Sequence, residues 1–159
     1  VGCIGDDFNE ALLTSMIAVG YPIPQKSVMV SSGSAKSKVD LLEACRTLSS
    51  KGYEIYATAG TQKFLAENNI DNIKVVSWPD ESGKENVMDM IANHRFDLVI
   101  NIPKNHTKRE LTNGYKIRRA SIDHNIPLIT NARLASAFIE AFCNLRMENI
   151  QIKSWQEYK

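Results

Sequence analysis

The sequence predicts an α/β fold in which a five-stranded parallel sheet lies between layers of helices. Five short apolar segments alternate with segments that have the periodicity of amphipathic helices. The predicted strands are apolar on both faces, which is typical of parallel strands covered by helices on each side. The chain has 159 residues, of which 43% are hydrophobic, and this suits one domain of ordinary size.

The elements follow from local patterns along the chain. Asp6 or Asp7 is predicted to cap a first helix, which ends before Pro22 and Pro24. Residues 1–24 therefore form a lead-in helix and linker, and residues 25–159 form the α/β domain. Strands are predicted at 27–31, 53–58, 74–78, 96–102 and 127–130. The domain's helices are predicted in the segment before Gly52, with Val39, Leu42, Cys45 and Leu48 inward, and at 60–69, 84–94, 113–125 and 132–147.

Composition excludes several classes of partner. The net charge is +1, so no overall field favours nucleic acid or a membrane surface. No apolar run approaches the roughly 18 residues of a membrane-spanning helix. The three cysteines are far apart and the three histidines lack metal-ligand spacing, which predicts no metal site. This cysteine usage favours a reducing compartment, and we expect a cytoplasmic location.

Polar side chains follow the ends of the predicted strands. In open α/β sheets, ligands bind outside the carboxyl ends of the strands. Those ends carry hydroxyls, amides and lysines, but no paired carboxylates: Ser31 to Ser34, Thr58 to Thr61, Ser77-Trp78, Asn101 and Thr130-Asn131. Lys36, just beyond the first strand, is a further candidate. Such groups suit a phosphate or a small carboxylate, and they do not suit general acid–base catalysis.

Ordinary structural roles remain open for the same residues. Thr, Ser and Asn at strand ends also cap helices and form turns without any ligand. Trp78 fits either a core position or the wall of a binding site. The two common glycine-rich phosphate motifs are absent. The residues by themselves therefore predict an α/β domain that binds a small anion.

Four segments resemble the methylglyoxal-synthase-like domain, in the version found at the C-terminus of the carbamoyl phosphate synthase large subunit. Residues 1–24 also resemble the end of the second synthetase unit of that enzyme. The four segments are YATAGT at 56–61, DLVINIP at 97–103, YKIRRASIDHNIPLITN at 115–131 and ARLASAFIEAF at 132–142.

The resemblance implies a three-layer, Rossmann-like domain that performs no catalysis and binds no cofactor. Such domains bind a small anionic effector, either a nucleotide such as UMP, IMP or UTP, or N-acetylglutamate. The parent enzyme uses ATP and Mg²⁺ to make carbamoyl phosphate from bicarbonate and glutamine or ammonia, for pyrimidine or arginine biosynthesis. The implied partners are the synthetase units of the same large subunit and a glutaminase subunit. The resemblance leaves room for a homo-oligomer.

The resemblance also implies effector-binding positions. The residue at the Trp78 position is Lys in the nucleotide-regulated bacterial pattern and Trp in the N-acetylglutamate pattern. Lys104 departs from the latter pattern, which has Asn, so the effector's identity stays open. The implied positions are Thr58, Thr61, Trp78, Asn101, Lys104, Asn113 and Arg118.

The enzymatic alternative is a methylglyoxal-synthase-type lyase acting on dihydroxyacetone phosphate. Those enzymes carry a catalytic Asp in a Gly-Gly-Asp loop after the third strand. This chain has Lys84 at that position. An ammonium group cannot act as the carboxylate base, so the substitution argues against lyase activity.

Overall fold

The computed structural model describes residues 1–81, 86–103, 107–145, 147–150 and 153–158. Within them lies a five-stranded sheet of order β3-β2-β1-β4-β5, and every pair of neighbouring strands is parallel. The strands are β1 Ser27–Ser32, β2 Glu54–Thr58, β3 Ile73–Val76, β4 Leu98–Ile102 and β5 Leu128–Ile129. The α-helices are α1 Phe8–Ala18, α2 Ala35–Ser50, α3 Ala59–Glu67, α4 Val87–Ala92, α5 Lys108–Asp123 and α6 Ala132–Asn144.

The sheet separates two hydrophobic cores, because successive residues of a strand face opposite sides. Val28 and Val30 of β1 pack in the core that also contains residues of α1, α2, α3 and α6. Met29, between them, packs in the core formed with α4 and α5. The predicted three-layer arrangement with a parallel sheet is therefore confirmed.

The strand order creates a crevice at the centre of the sheet. From β1 the chain moves outward through β2 and β3, then crosses to the other side of β1 and continues through β4 and β5. At such a reversal, the connections that leave two neighbouring strands run to opposite faces of the sheet. The carboxyl ends of β1 and β4 therefore border an opening between the helical layers.

Helix α1 packs against α6. Its start was predicted correctly, since the Asp7 carboxylate accepts a hydrogen bond from the backbone N–H of Glu10 at 2.8 Å. Leu13 is fully buried and belongs to the same core as α2 and α6. No helix in the described ranges is long and apolar enough to cross a membrane.

Three details of the predicted helices were wrong. In α2, Val39 is 60% exposed, and the buried face consists of Leu41, Ala44, Cys45 and Leu48. Leu41 and Leu42 are adjacent and both apolar, so the sequence is compatible with two different buried faces for α2. The last helix, predicted at 132–147, ends at Asn144, and a separate 3₁₀-helix occupies Met147–Asn149.

The third error concerns α5, which begins at Lys108 and not at Asn113. The Thr107 hydroxyl caps it by accepting the backbone N–H of Glu110 at 3.2 Å. Asn113 and Gly114 lie inside the helix, and both are buried. An Asn-Gly pair usually indicates a turn, so their presence within a helix needs a local reason.

Candidate functional site

A row of three polar residues ends the central strands on the side covered by α4 and α5. The row before it is apolar and consists of Met29, Tyr56 and Val99. Two residues later on each strand come Ser31, Thr58 and Asn101, and the structure pairs Ser31 with Asn101 across β1 and β4. All three are at least 95% buried. The sheet therefore changes from apolar to polar where the strands end.

These residues line a cavity of about 130 Å³ at the carboxyl ends of the strands. Of the predicted effector-binding residues, the structure brings five together around it: Thr58, Thr61, Trp78, Asn101 and Arg118. Trp78 and Glu110 also line a neighbouring hollow of about 160 Å³. The predicted convergence of hydroxyl, amide and cationic groups at one edge of the sheet is therefore present in the fold.

Thr58 and Thr61 are placed differently from each other. Thr58 occupies the cap position of α3, but its side chain makes no capping hydrogen bond in the described chain. Its hydroxyl instead lies 3.4 Å from both Ser31 Oγ and Thr61 Oγ1. The Thr61 hydroxyl accepts the backbone N–H of Ser32 at 3.0 Å. The Thr58 hydroxyl therefore makes only long contacts, whereas the Thr61 hydroxyl joins α3 to β1.

The hydroxyl of Ser32 is the least satisfied polar group at this edge. Ser32 is 6% exposed and lines the cavity, yet its Oγ atom has no hydrogen-bond partner among the residues that the structure describes. A buried hydroxyl without a partner costs free energy, commonly about 1–3 kcal/mol. A ligand oxygen in the cavity would remove this cost by accepting a hydrogen bond from the Ser32 hydroxyl.

Two cationic side chains reach the cavity from opposite sides. The Lys38 ammonium donates to the Gly60 carbonyl at 2.7 Å. The Arg118 guanidinium donates to Asn101 Oδ1 at 2.7 Å. Glu110 contributes a carboxylate to the lining, and it accepts a hydrogen bond from the Thr107 hydroxyl at 3.0 Å. Among the described lining residues, the formal charge is therefore positive.

Gly114 explains how Arg118 reaches Asn101. A β-carbon at position 114 would lie 2.9 Å from Arg118 Nη1 and 3.7 Å from Asn101 Oδ1. The first distance is closer than van der Waals contact allows, so any larger residue would displace the guanidinium. This is the local reason for a glycine in the middle of α5, where glycine is otherwise unfavourable.

Three of the predicted effector-binding residues either lie apart from the cavity or fall outside the described residues. Asn113 is 2% exposed and lines the neighbouring hollow, and its amide donates to Asp80 Oδ1 at 2.8 Å. Lys36 is exposed and is absent from the described lining. Lys104 lies outside the described residues, as does Lys84, on which the argument against lyase activity depends.

Lys38 is a cavity residue that the sequence analysis did not select. On a helix, residues three and four apart share a face, whereas residues two apart point to different sides. Lys38 precedes the buried Leu41 by three residues and therefore lies on the inward side of α2, unlike Lys36. The helical spacing of residues 38, 41, 45 and 48 could have indicated Lys38. Using it required the buried face of α2 to be assigned correctly.

Metal-ligating residues do not cluster here. The described part of the chain contains no group of three or more His, Cys, Asp or Glu side chains arranged to hold a metal ion. The donors that meet at the cavity are hydroxyl, amide, ammonium and guanidinium groups. These are donors for an anion.

Comparison with known proteins agrees with the architecture. The sequence profile of the MGS-like domain matches residues 40–130, from the middle of α2 to the end of β5. The chain belongs to the MGS-like domain family. The predicted resemblance to that family is therefore confirmed.

The relatives of this MGS-like domain are parts of larger chains. "Multifunctional protein CAD" of Squalus acanthias is 38% identical over 89% of this chain and 7% of its own length. "Carbamoyl phosphate synthase large chain, C-terminal section" of Aquifex aeolicus is 35% identical over 90% of this chain and 26% of its own length. Human "Carbamoyl-phosphate synthase (ammonia), mitochondrial" is 34% identical over 89% of this chain and 10% of its own length.

Proposed function

We propose that this MGS-like domain is the C-terminal allosteric domain of a carbamoyl phosphate synthase large subunit and that it binds a small anionic effector. The observation that carries the proposal is the cavity at the strand ends, where Lys38 and Arg118 meet the Ser32 hydroxyl, which has no hydrogen-bond partner within the described ranges. Relatives named as carbamoyl phosphate synthases support the assignment to that enzyme.

The charge of the lining favours an anion over a neutral ligand. Lys38 and Arg118 are both partly buried, so an anion between them would be screened less than on an open surface. The first N–H groups of α3 add partial positive charge, because the Thr58 side chain does not cap them. The effector is a nucleotide such as UMP or IMP, or N-acetylglutamate, bound through its phosphate or carboxylate group.

The size of the cavity indicates how such an effector would lie. A volume of about 130 Å³ accepts a phosphate or carboxylate group with few further atoms. The neighbouring hollow of about 160 Å³ shares Trp78 and Glu110 with the cavity and can receive the rest of the molecule. Trp78 would then form the wall between the anionic head and the body of the effector.

Regulation would act on a larger protein. Residues 1–24 would be the end of the preceding synthetase unit, and residues 25–159 the effector-binding domain. Effector binding would favour one of two states of the whole enzyme, with a coupling free energy of about 1–3 kcal/mol. Carbamoyl phosphate would be made by synthetase units on the same subunit, supplied by a glutaminase partner, in the cytoplasm and for pyrimidine or arginine biosynthesis.

A thermal-shift panel tests the binding half of this proposal. UMP, IMP, UTP and N-acetylglutamate are each titrated against this chain. An effector present at a hundred times its dissociation constant should stabilise the folded state by about 2.7 kcal/mol. The absence of any shift across the panel would contradict the proposal, and so would formation of methylglyoxal from dihydroxyacetone phosphate.

Lysine variants locate the site. We expect Lys38→Met to weaken binding about tenfold or more, because one charge-assisted contact contributes about 1.5–3 kcal/mol. Lys36→Met tests the residue selected from sequence and should have a smaller effect. Lys51→Met, at the far end of α2 and about 20 Å away along the helix, is the matched control. Equal effects of all three substitutions would remove the cavity as the binding site.

Thr61→Ala is a poor probe of binding. It removes the acceptor of the buried Ser32 N–H and should lower the free energy of unfolding by about 1–3 kcal/mol. Thr58→Val keeps the shape and removes only a hydroxyl whose contacts are 3.4 Å long. We therefore expect Thr58→Val to weaken effector binding with little change in thermal stability.

A further inference from the structure

An ion-pair network joins the loop after β3 to helix α5. Arg109 contacts Asp80 with two nitrogens, Nε to Oδ2 at 2.6 Å and Nη2 to Oδ1 at 3.1 Å. The Asn113 amide donates to the same Oδ1 atom at 2.8 Å. Two-point contacts of this kind fix orientation as well as distance. We call Asp80, Arg109 and Asn113 the α5 clasp.

The clasp holds the turn that carries Trp78. The Trp78 backbone N–H donates to Glu81 Oε2 at 2.9 Å, and the Glu81 N–H donates to the Trp78 carbonyl at 3.0 Å. Asp80 lies within this turn, two residues after Trp78. Contacts that fix the Asp80 carboxylate therefore also restrict the movement of Trp78. Arg109 also reaches Glu81, with 3.4 Å between Nη2 and Oε1. The clasp therefore ties both carboxylates of the turn to the first turn of α5.

Both partners of the Asp80–Arg109 pair are charged at neutral pH, and the pair is partly exposed, with 35% of the Asp80 side chain and 61% of the Arg109 side chain accessible. The Arg109 guanidinium lowers the pKa of Asp80 to about 2, with a further contribution from the Asn113 amide, so the carboxylate stays ionised. Asn113 is 2% exposed and uses its amide on Asp80. This use accounts for an asparagine in the middle of α5, where its helix propensity is poor.

We propose that the α5 clasp is a positioning device that fixes Trp78 against α5 and thereby sets the affinity of the effector site. Asn113 then acts on the effector site through Asp80 and Trp78, in addition to lining the neighbouring hollow. The position of Trp78 follows from these contacts, whereas the effect on affinity rests on the proposed function.

A purely electrostatic effect of the clasp on effector binding predicts a different result from an effect through the position of Trp78. If Asp80 and Arg109 acted on the effector only through their charges, Asp80→Asn would strengthen anion binding and Arg109→Gln would weaken it. If they act by holding Trp78, both substitutions weaken binding. The direction of the Asp80→Asn effect therefore separates the two explanations.

The first experiment measures the position of Trp78 without any ligand. In a Trp155→Phe background, Trp78 is the remaining tryptophan of the chain. We expect Asp80→Asn, Arg109→Gln and Asn113→Ala each to raise acrylamide quenching of its fluorescence by about twofold, because the freed turn opens more often. Arg119→Gln is the control, since it breaks an exposed Arg119–Asp123 pair within α5 that has 2.9 Å between Nε and Oδ2.

Unchanged quenching in the three clasp variants would overturn the proposal, whether or not an effector is found. A rise of equal size in Arg119→Gln would also overturn it, since loosening would then be a general response of α5. Far-ultraviolet circular dichroism and a cooperative melt confirm that each variant is folded when quenching is measured.

The second experiment measures affinity, with UMP and N-acetylglutamate as the titrated compounds. We expect Asp80→Asn and Arg109→Gln each to raise the dissociation constant about threefold or more, and the double variant to fall short of the product of the two effects. Stronger binding by Asp80→Asn would overturn positioning in favour of charge. If neither compound binds the unmodified chain, the proposed function is contradicted while the quenching result still decides the clasp.

Discussion

The two ends of the same sheet differ in how fully their polar side chains are hydrogen-bonded. At the amino end, one Asp97 carboxylate oxygen accepts three backbone N–H groups, those of Gln25, Lys26 and Ser27, at 2.6–3.1 Å. The Ser27 hydroxyl donates to the Arg95 carbonyl at 2.7 Å. Here the side chains satisfy the protein's own backbone.

At the carboxyl end, the hydrogen-bonding capacity of the polar side chains is only partly used. The Ser32 hydroxyl has no partner in the described ranges, and the Thr58 hydroxyl has contacts of only 3.4 Å. Both ends contain polar residues next to strands, so polarity by itself does not mark a binding site. Unused hydrogen-bonding capacity inside a cavity does, because a folded protein otherwise has little reason to retain it.

The largest expected effect is a loss of stability from a substitution at the amino end of the sheet. Asp97→Ala removes three hydrogen bonds to a charged acceptor, and we expect it to lower the free energy of unfolding by about 2–3 kcal/mol in a urea titration. The dissociation constant of the effector should not change in the variant that remains folded. A large loss of affinity would show that the two ends of the sheet are not independent.

A smaller effect is expected from Gly114→Ala at the carboxyl end. Alanine in a helix interior is favoured over glycine by about 1 kcal/mol, so stability should hold or rise. The new methyl group displaces Arg118 from Asn101, and we expect effector binding to weaken about tenfold. Gly114→Ala in a chain that also carries Arg118→Gln should lose little further affinity. Unchanged binding by the single variant would remove Arg118 from the site.

The smallest effect on stability is expected from Ser32→Ala. This buried hydroxyl has no partner in the part of the chain that the structure describes, so its removal should change the free energy of unfolding by less than about 0.5 kcal/mol, or raise it. Effector affinity should fall about threefold to tenfold, measured by calorimetry. Ser27→Ala is the matched change at the amino end, where it should lower stability and leave binding intact. The comparison between the ends fails if the two serines behave alike.

Much of the fold could be predicted from the sequence because strand and helix patterns are local. The five strands and the three-layer arrangement follow from apolar runs that alternate with helical periods. The convergence of Thr58, Trp78 and Asn101 followed from one further rule, that parallel strands end at the same edge of the sheet. No knowledge of side-chain contacts was needed for either inference.

The remainder depends on contacts between distant segments. Selecting Lys38 over Lys36 required the buried face of α2, and Leu41 next to Leu42 left that face undecided. The clasp could not be predicted, since Asp80 and Arg109 are separated by 29 residues and meet only when α5 begins at Lys108. Asn113 was selected by resemblance, and the contact it makes with Asp80 is a property of the folded structure alone.

The polar row at the strand ends also has a kinetic consequence. Ser31, Thr58 and Asn101 come from three strands, so β1, β2 and β4 must be paired before the cavity exists. No hairpin or helix pair can bind the effector in advance of the whole central sheet. Binding should therefore slow global unfolding. We expect the amide hydrogens of the central strands β1 and β4 to exchange through complete opening and therefore to gain the most protection.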